Sequence, residues 1–183
     1  MLQTANPKAM FLLKALITEH PTVVEIGCLR TAKEDLTDGW STYYLAQEVA
    51  KTVMGRFTFV DINPSAVALA TEAIKEFEFT NGSGVVADGT AFLAAWPHAW
   101  KIDLLYLDSS DDPRDTLRQA KAALPHLASA ARIVIDDVQP IGSNWFGKGS
   151  MAIPFLIQQG WRCYIEPTLW QGEHCWAMAR LWR

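Results

Sequence analysis

Residues 57–65 read FTFVDINPS. Phe57 to Val60 is an apolar, strand-like run, Asp61 ends it, and Pro64 with Ser65 opens an Ala-rich helix that the pattern carries to about Phe77. A strand that runs through one acid into a helix is the first half of a crossover unit, and the same grammar recurs on both sides. Upstream, Pro7 to about Glu19 reads as a helix closed by His20-Pro21, followed by a β-branched strand, Thr22 to Ile26, that Gly27 ends. A polar stretch, Cys28 to Asp38, then leads to a helix from about Ser41 to Val53, with Gly39 or Ser41 near its N-cap and Gly55 beyond its end.

Downstream, Asn81-Gly82-Ser83-Gly84 reads as a turn before a short strand, Val85 to Ala87, and a brief helix, Thr90 to Trp96. Ile102 to Leu107 is a fourth strand ending in Asp108. Asp112-Pro113 starts a helix that runs to about Leu127, and Ile133 to Ile135 is a fifth strand ending in Asp136-Asp137. Ser150 to Gln159 is another helix, capped by Gly160. Arg162 to Glu166 and Cys175 to Leu181 are strand-like runs with no room between them for a crossover helix, so they pair as an antiparallel hairpin. The expectation is an α/β fold: a Rossmann-like three-layer sandwich with a mostly parallel, seven-stranded sheet that ends in an antiparallel hairpin, formed by residues 1–183 as a single domain.

Composition narrows the function classes. The chain has 183 residues, half of them hydrophobic, and a net charge of -4 with no basic run, which argues against a nucleic-acid partner. Cys28, Cys163 and Cys175 show neither CxxC spacing nor an even count, so neither a disulfide framework nor a zinc site is expected and a reducing cytoplasm is the expected location. The apolar run at 9–18 carries Lys14, is too short to span a bilayer and has no signal-peptide pattern. No membrane association is expected.

In open parallel sheets the ligand sits beyond the carboxyl ends of the strands, where strand order reverses. Acids collect there: Glu25 at the end of the first strand, then Asp61, Asp88, Asp108 and the pair Asp136-Asp137 after the next ones. Asp61 is the most diagnostic, because a carboxylate after the second strand of a βαβ unit is placed to accept both ribose hydroxyls of a nucleoside cofactor. The plainer role for each of these aspartates is a helix cap or a turn. After Gly27 the chain reads Cys28-Leu29-Arg30, so GxGxxG is absent, and with it the close approach to a pyrophosphate.

The ordered series VVEIGC with DGWST, FTFVDINP, VVADGT, LLYLDSS and RIVIDDV resembles the motifs of class I S-adenosylmethionine-dependent methyltransferases over nearly the whole chain. The resemblance implies that Glu25 and Gly27 border the methionine part of S-adenosylmethionine, that Asp61 holds the ribose, that Asp88 and Gly89 lie near the adenine, that Asp108 lies beside the sulfonium and substrate, and that Cys28, Ser41, Thr42 and Ile62 also belong to the cofactor site. The acids after strand five and the later Gly147-Lys148-Gly149 before a helix are similar to a branch that includes sugar and macrolide O-methyltransferases. That branch implies a divalent cation, Mg²⁺, held by Asp108, Asp136 and Asp137. A hard cation suits carboxylate oxygens and would lower the pKa of a substrate hydroxyl.

The implied reaction is methyl transfer to a small molecule, with oxygen the favoured acceptor and nitrogen left open. Two departures stand out. Where relatives often carry a histidine shortly after the strand-four acid, this chain has Asp108-Ser109-Ser110-Asp111-Asp112. Asp111 is the substitute base, a role that would need burial or a metal, while capping at Pro113 is the plainer role. The second departure is the stretch of about ten residues between Gly27 and Gly39, long for a loop that is normally tight. Trp40 and Trp145 fall in loops at the cofactor edge and are candidates for stacking, Trp161, Trp176 and Trp182 are expected in the core, and Lys148 reads as an exposed loop lysine. Without a separate substrate domain, either the pocket is open or a neighbouring subunit of a homo-oligomer covers it. Two other readings compete: a non-catalytic nucleoside-binding module, and a nicotinamide-dependent oxidoreductase, against which the missing GxGxxG and the terminal hairpin argue.

Overall fold

The computed structural model describes residues 15–16, 18–31, 40–75, 80–167 and 177–183. Five strands form the parallel part of the sheet: β1 (Thr22–Ile26), β2 (Arg56–Asp61), β3 (Gly82–Val86), β4 (Ile102–Leu107) and β5 (Leu127–Ile141). The crossovers between them carry α1 (Ser41–Ala50), α2 (Pro64–Ile74), α3 (Gly89–Ala94) and α4 (Pro113–Ala123). After β5 come a short strand β6 (Asn144–Gly147), the helix α5 (Gly149–Gln158), and β7 (Arg162–Pro167) with β8 (Ala177–Trp182). The sheet runs β3-β2-β1-β4-β5-β8-β7, with β6 paired to β5 off that path. β8 is antiparallel to both β5 and β7, as the absence of a crossover helix requires.

Alternation along the strands builds two cores, one on each face. Val24, Leu105 and Ile133 point to the side covered by α3, α4 and α5, whereas Val23, Leu104 and Val134 point to the side covered by α1 and α2. Two central strands buried on both sides explain why TVVEI and IDLLYL read as nearly continuous apolar runs. The helix starts follow the expected chemistry: Asn63 Oδ1 accepts from Ser65 N ahead of Pro64, and Asp112 Oδ1 accepts from Arg114 N ahead of Pro113.

Several expectations change. The predicted turn at Asn81–Gly84 is largely strand, because β3 pairs with β2 from Gly82 onward. α1 stops at Ala50, three residues early, and its N-cap is Trp40 with no side-chain cap, since the Ser41 hydroxyl bonds elsewhere. α4 ends at Ala123 in a 3-10 turn, Leu124–His126, where Pro125 interrupts the α-helical hydrogen bonding. The largest difference is at β5. It begins at Leu127, continues through the acidic pair to Ile141, and turns back through β6, an eighth strand that the sequence reading missed. Most of the opening helix, the loop at 32–39, Trp176 and Cys175 lie outside the described residues. No helix among the described residues is long and apolar enough to cross a membrane.

Candidate functional site

Strand order reverses between β1 and β4, and the two chains leave the sheet in close contact there. Gly27, with φ +87°, donates its N–H to Val60 O, and Asp108 N donates to Ile26 O. A Cβ built on Gly27 would lie 2.4 Å from the backbone oxygen of Asp108, so only glycine allows this approach. A cleft of about 160 Å³ opens beside that junction, lined among others by Ile26, Asp61, Ile62, Asp88, Gly89 and Gln119. Gly89 is also sterically required, since its Cβ would lie 2.3 Å from Ile26 Cγ2.

Asp61 sits at the carboxyl end of β2 and organises two loops: Oδ2 accepts from Cys28 N at 3.2 Å and Oδ1 accepts from Asn63 N at 2.8 Å. Asp88 is exposed and caps α3, its Oδ1 accepting from Ala91 N at 2.8 Å. Its capping role is thus realised at the rim of the same cleft. Ser41 and Thr42 are both buried and brace the exit of β1: Ser41 Oγ donates to the fully buried Glu25 Oε1 at 2.5 Å, and Thr42 Oγ1 accepts from Leu29 N at 2.9 Å. Cys28 is buried, and its thiol is pushed far above its ordinary range by burial and by the Glu25 and Asp61 carboxylates, so it is chemically inert.

Gln119, which sequence reading did not single out, has a vacant acceptor. Its Nε2 donates to Ser109 Oγ at 2.8 Å, whereas its buried Oε1 has no hydrogen-bond partner among the described residues. A buried carbonyl oxygen left unpaired at a cleft wall is costly unless a ligand donor satisfies it.

Around the corner of residues 108–111 lies a second cavity, about 410 Å³, lined by Asp111, Asp137, Gly147 and Lys148. Its geometry originates in β5. Consecutive strand residues normally face opposite ways, but the register of β5 against β8 shifts between Ile135 and Val138, and Asp137 has φ +47°. That bulge brings both carboxylates of the pair to the side of Asp108, and ligand oxygens of Asp108, Asp136 and Asp137 lie within 4.8 Å of one another. Tyr106, two residues before Asp108 and on the same face of β4, donates its hydroxyl to Asp136 Oδ2 at 2.6 Å. Burial and then the Asp108 and Asp136 charges hold that phenol well above its ordinary pKa.

Lys148 corrects the expectation of an exposed loop lysine. The return strand β6 pairs Gly147 with Val138 and so brings the next residue against the acidic pair, where Lys148 is 4% exposed. Its Nζ donates to Asp108 Oδ1 at 2.5 Å and lies 2.8 Å from Asp137 Oδ2 and 3.8 Å from Asp111 Oδ1. Burial pulls the ammonium down, but Asp108 and Asp137 outweigh it and hold it above its usual range.

The three carboxylates are the donor set that Mg²⁺ prefers, yet the Lys148 ammonium already sits against two of them, Asp108 and Asp137. An ion about 2.1 Å from the Asp108 or Asp137 oxygen could be no more than about 5 Å from the ammonium. At an effective dielectric of about 20, charges of +1 and +2 at that distance repel by roughly 7 kcal/mol. As arranged, these residues do not fit a divalent cation.

Asp111 lies at the cavity rim with a fully exposed side chain, so the burial that a carboxylate base would need is not present there. Trp40 is buried, edge-on to Tyr43 with ring centroids 5.2 Å apart, and Trp145 packs on the core, which gives both tryptophans structural packing roles.

A parallel sheet with a reversed terminal hairpin and a glycine-lined cleft at its switch point defines the class I methyltransferase fold. A family model described as a methyltransferase domain matches residues 36–138, more than half of the chain. The chain belongs to that family and is an S-adenosylmethionine-dependent methyltransferase. No curated protein matches the sequence. Among solved structures, it is similar to the O-methyltransferase TomG from Streptomyces achromogenes, solved with S-adenosylmethionine, at 16% identity, covering 99% of this chain and 81% of that one with a TM-score of 0.70. An O-methyltransferase from Bacillus cereus in complex with S-adenosylhomocysteine gives 13% identity, 99% and 83% coverage and a TM-score of 0.70. An rRNA methylase from Streptococcus thermophilus gives 13% identity, 100% and 98% coverage and a TM-score of 0.63.

Proposed function

We propose that this methyltransferase acts on a hydroxyl of a small molecule, with S-adenosylmethionine in the cleft beside Asp61 and the acceptor in the cavity beside Lys148. The observation that carries this reading is the adjacency of the two spaces. Ser109 and Ser110 line the cleft while Asp111 lines the cavity, so one short loop after β4 separates them. Asp61 accepts the ribose hydroxyls, and Gln119 Oε1 accepts from the adenine amino group. Glu25, braced by Ser41, sits on the methionine side with Gly27, Cys28 and Thr42. Ile62, 74% exposed, and Asp88 with Gly89 complete the nucleoside walls.

When bound, the cofactor supplies an electrophilic methyl whose C–S bond breaks, with its electron pair going to sulfur, as the new C–O bond forms. The protein's part is to align the acceptor oxygen and to manage its proton. The acceptor proton passes to solvent water at the cavity rim, beside the exposed Asp111. A cavity of about 410 Å³ suits a small molecule. The acids on its wall and the net charge of -4 disfavour a polyanion such as RNA. Residues 1–183 act as one domain in this reading, and the expected location is the cytoplasm.

The test is transfer of an isotopically labelled methyl group to a panel of hydroxylated and aminated small molecules and to RNA, with products identified by mass spectrometry. O-methyl ethers are expected. Transfer confined to nitrogen or to RNA would overturn the proposal.

A further inference from the structure

We infer that Lys148 is the resident cation of the acceptor cavity, occupying the place a divalent metal ion would take and making the methyl transfer metal-independent. The inference rests on the acceptor-site reading above. It starts from charge: Asp108, Asp136 and Asp137 bring three carboxylates within 4.8 Å of one another, a cluster that needs a compensating cation. The chain supplies one itself. The bulge after Ile135 and the left-handed Asp137 turn the acids inward, and β6 returns along β5 to bring Lys148 against Asp108 and Asp137. The Lys148 backbone N–H also donates to Asp137 O at 3.1 Å, fixing the stem as well as the head.

An ammonium has three N–H groups. Hydrogen-bond distances to Asp108 Oδ1 and Asp137 Oδ2 account for two, while Asp111 at 3.8 Å is beyond hydrogen-bond reach. Lys148 is one of the residues that line the cavity, and in this inference the remaining N–H donates to the acceptor oxygen there. The acceptor proton leaves for solvent water, and the oxygen lone pair forms the C–O bond as the C–S pair goes to sulfur. Lys148 stays protonated throughout and stabilises the negative charge left on the acceptor oxygen as its proton leaves. The arrangement therefore replaces the electrostatic part of a metal's role and leaves out its ligand geometry.

Mn²⁺ binding, read by electron paramagnetic resonance, tests the inference without knowledge of the substrate. The wild-type protein is expected to show no saturable Mn²⁺ binding, and Lys148→Arg, which keeps the charge, is expected to match it. Lys148→Ala and Lys148→Met remove the ammonium beside Asp108 and Asp137 and should bind Mn²⁺ at least about tenfold more tightly than wild type. Adding Asp137→Ala to either should abolish that gain. Saturable one-to-one Mn²⁺ binding by the wild type, or no gain in folded Lys148→Ala and Lys148→Met, would overturn the inference. Circular dichroism melts establish which variants fold; if neither neutral variant does, the wild-type titration decides alone. A parallel titration of the wild type with S-adenosylmethionine reports on the cofactor site, so failure of the methyltransferase reading is seen separately.

Discussion

Gly27→Ala should be far more destabilising than Gly160→Ala, although the two glycines have nearly the same backbone angle, φ +87° and +86°. Both substitutions force an L residue into the left-handed region, at a cost of about 1–3 kcal/mol. Both also remove conformational freedom from the unfolded chain, which returns about 0.4–1 kcal/mol. These effects cancel in the comparison. What remains is steric: at Gly160 the new methyl meets nothing within 4 Å, whereas at Gly27 it lies 2.4 Å from Asp108 O, 2.6 Å from Asp108 C and 2.7 Å from Ser109 Cα. Ordinary contact begins at 3.4 Å, and because all three atoms are backbone, the exits of β1 and β4 must part by about 1 Å. Overpacking of that kind costs about 1–3 kcal/mol or more. For a chain of this size each kcal/mol lowers the melting temperature by roughly 2–4 °C. Urea denaturation followed by tryptophan fluorescence, with both variants and wild type at one pH, measures the difference. Equal destabilisation of the two variants would refute the close approach on which the switch-point cleft depends.

Ser41→Ala removes the hydroxyl that donates to the buried Glu25 carboxylate and should cost about 1–3 kcal/mol, measurable in the same urea experiment. Asp103 gives a pH signature. Burial raises its pKa in the folded state, although Thr22 N donates to it at 2.8 Å, so the native state holds this proton more tightly than the unfolded chain. Its contribution is fully present below the unfolded pKa of about 3.8 and falls as pH rises through the raised value. In Asp103→Asn this decline disappears: the variant should gain stability relative to wild type between pH 4 and pH 7, as urea midpoints at the two pH values will show.

The sheet was legible because its central strands are buried on both faces and end in acids. Thr22–Ile26 and Ile102–Leu107 appear in the structure with the bounds the sequence reading assigned. Glycine misled at β3, where a Gly-Ser-Gly run that reads as a turn is held as strand by pairing along β2, a tertiary effect with no local signal. The acceptor side was harder. Asp136-Asp137 is visible in the sequence, but its inward turn depends on a bulge and a left-handed residue that no pattern announces. Lys148 lies 40 residues from Asp108, and only the return of β6 along β5 joins them. Tyr106 was readable in principle, since a tyrosine two positions before an acid on one strand shares its face. Gln119 projects from the first turns of α4 toward the loop after β4, a juxtaposition that follows from helix packing.

Calorimetric titration with S-adenosylmethionine, comparing wild type with Asp61→Ala, tests the cofactor site most directly. The Asp61 carboxylate is placed to accept two ribose hydroxyls, and hydrogen bonds to a charged group are worth about 1.5–3 kcal/mol each, so Asp61→Ala should weaken binding by roughly 100-fold or more. Because Asp61 also holds Cys28 N and Asn63 N, the melting temperature of the variant is measured alongside. Saturable one-to-one binding by the wild type, lost in a variant that still folds, is the predicted result. No binding by the wild type, or equal affinity in the two proteins, would contradict the assignment of this cleft as the cofactor site.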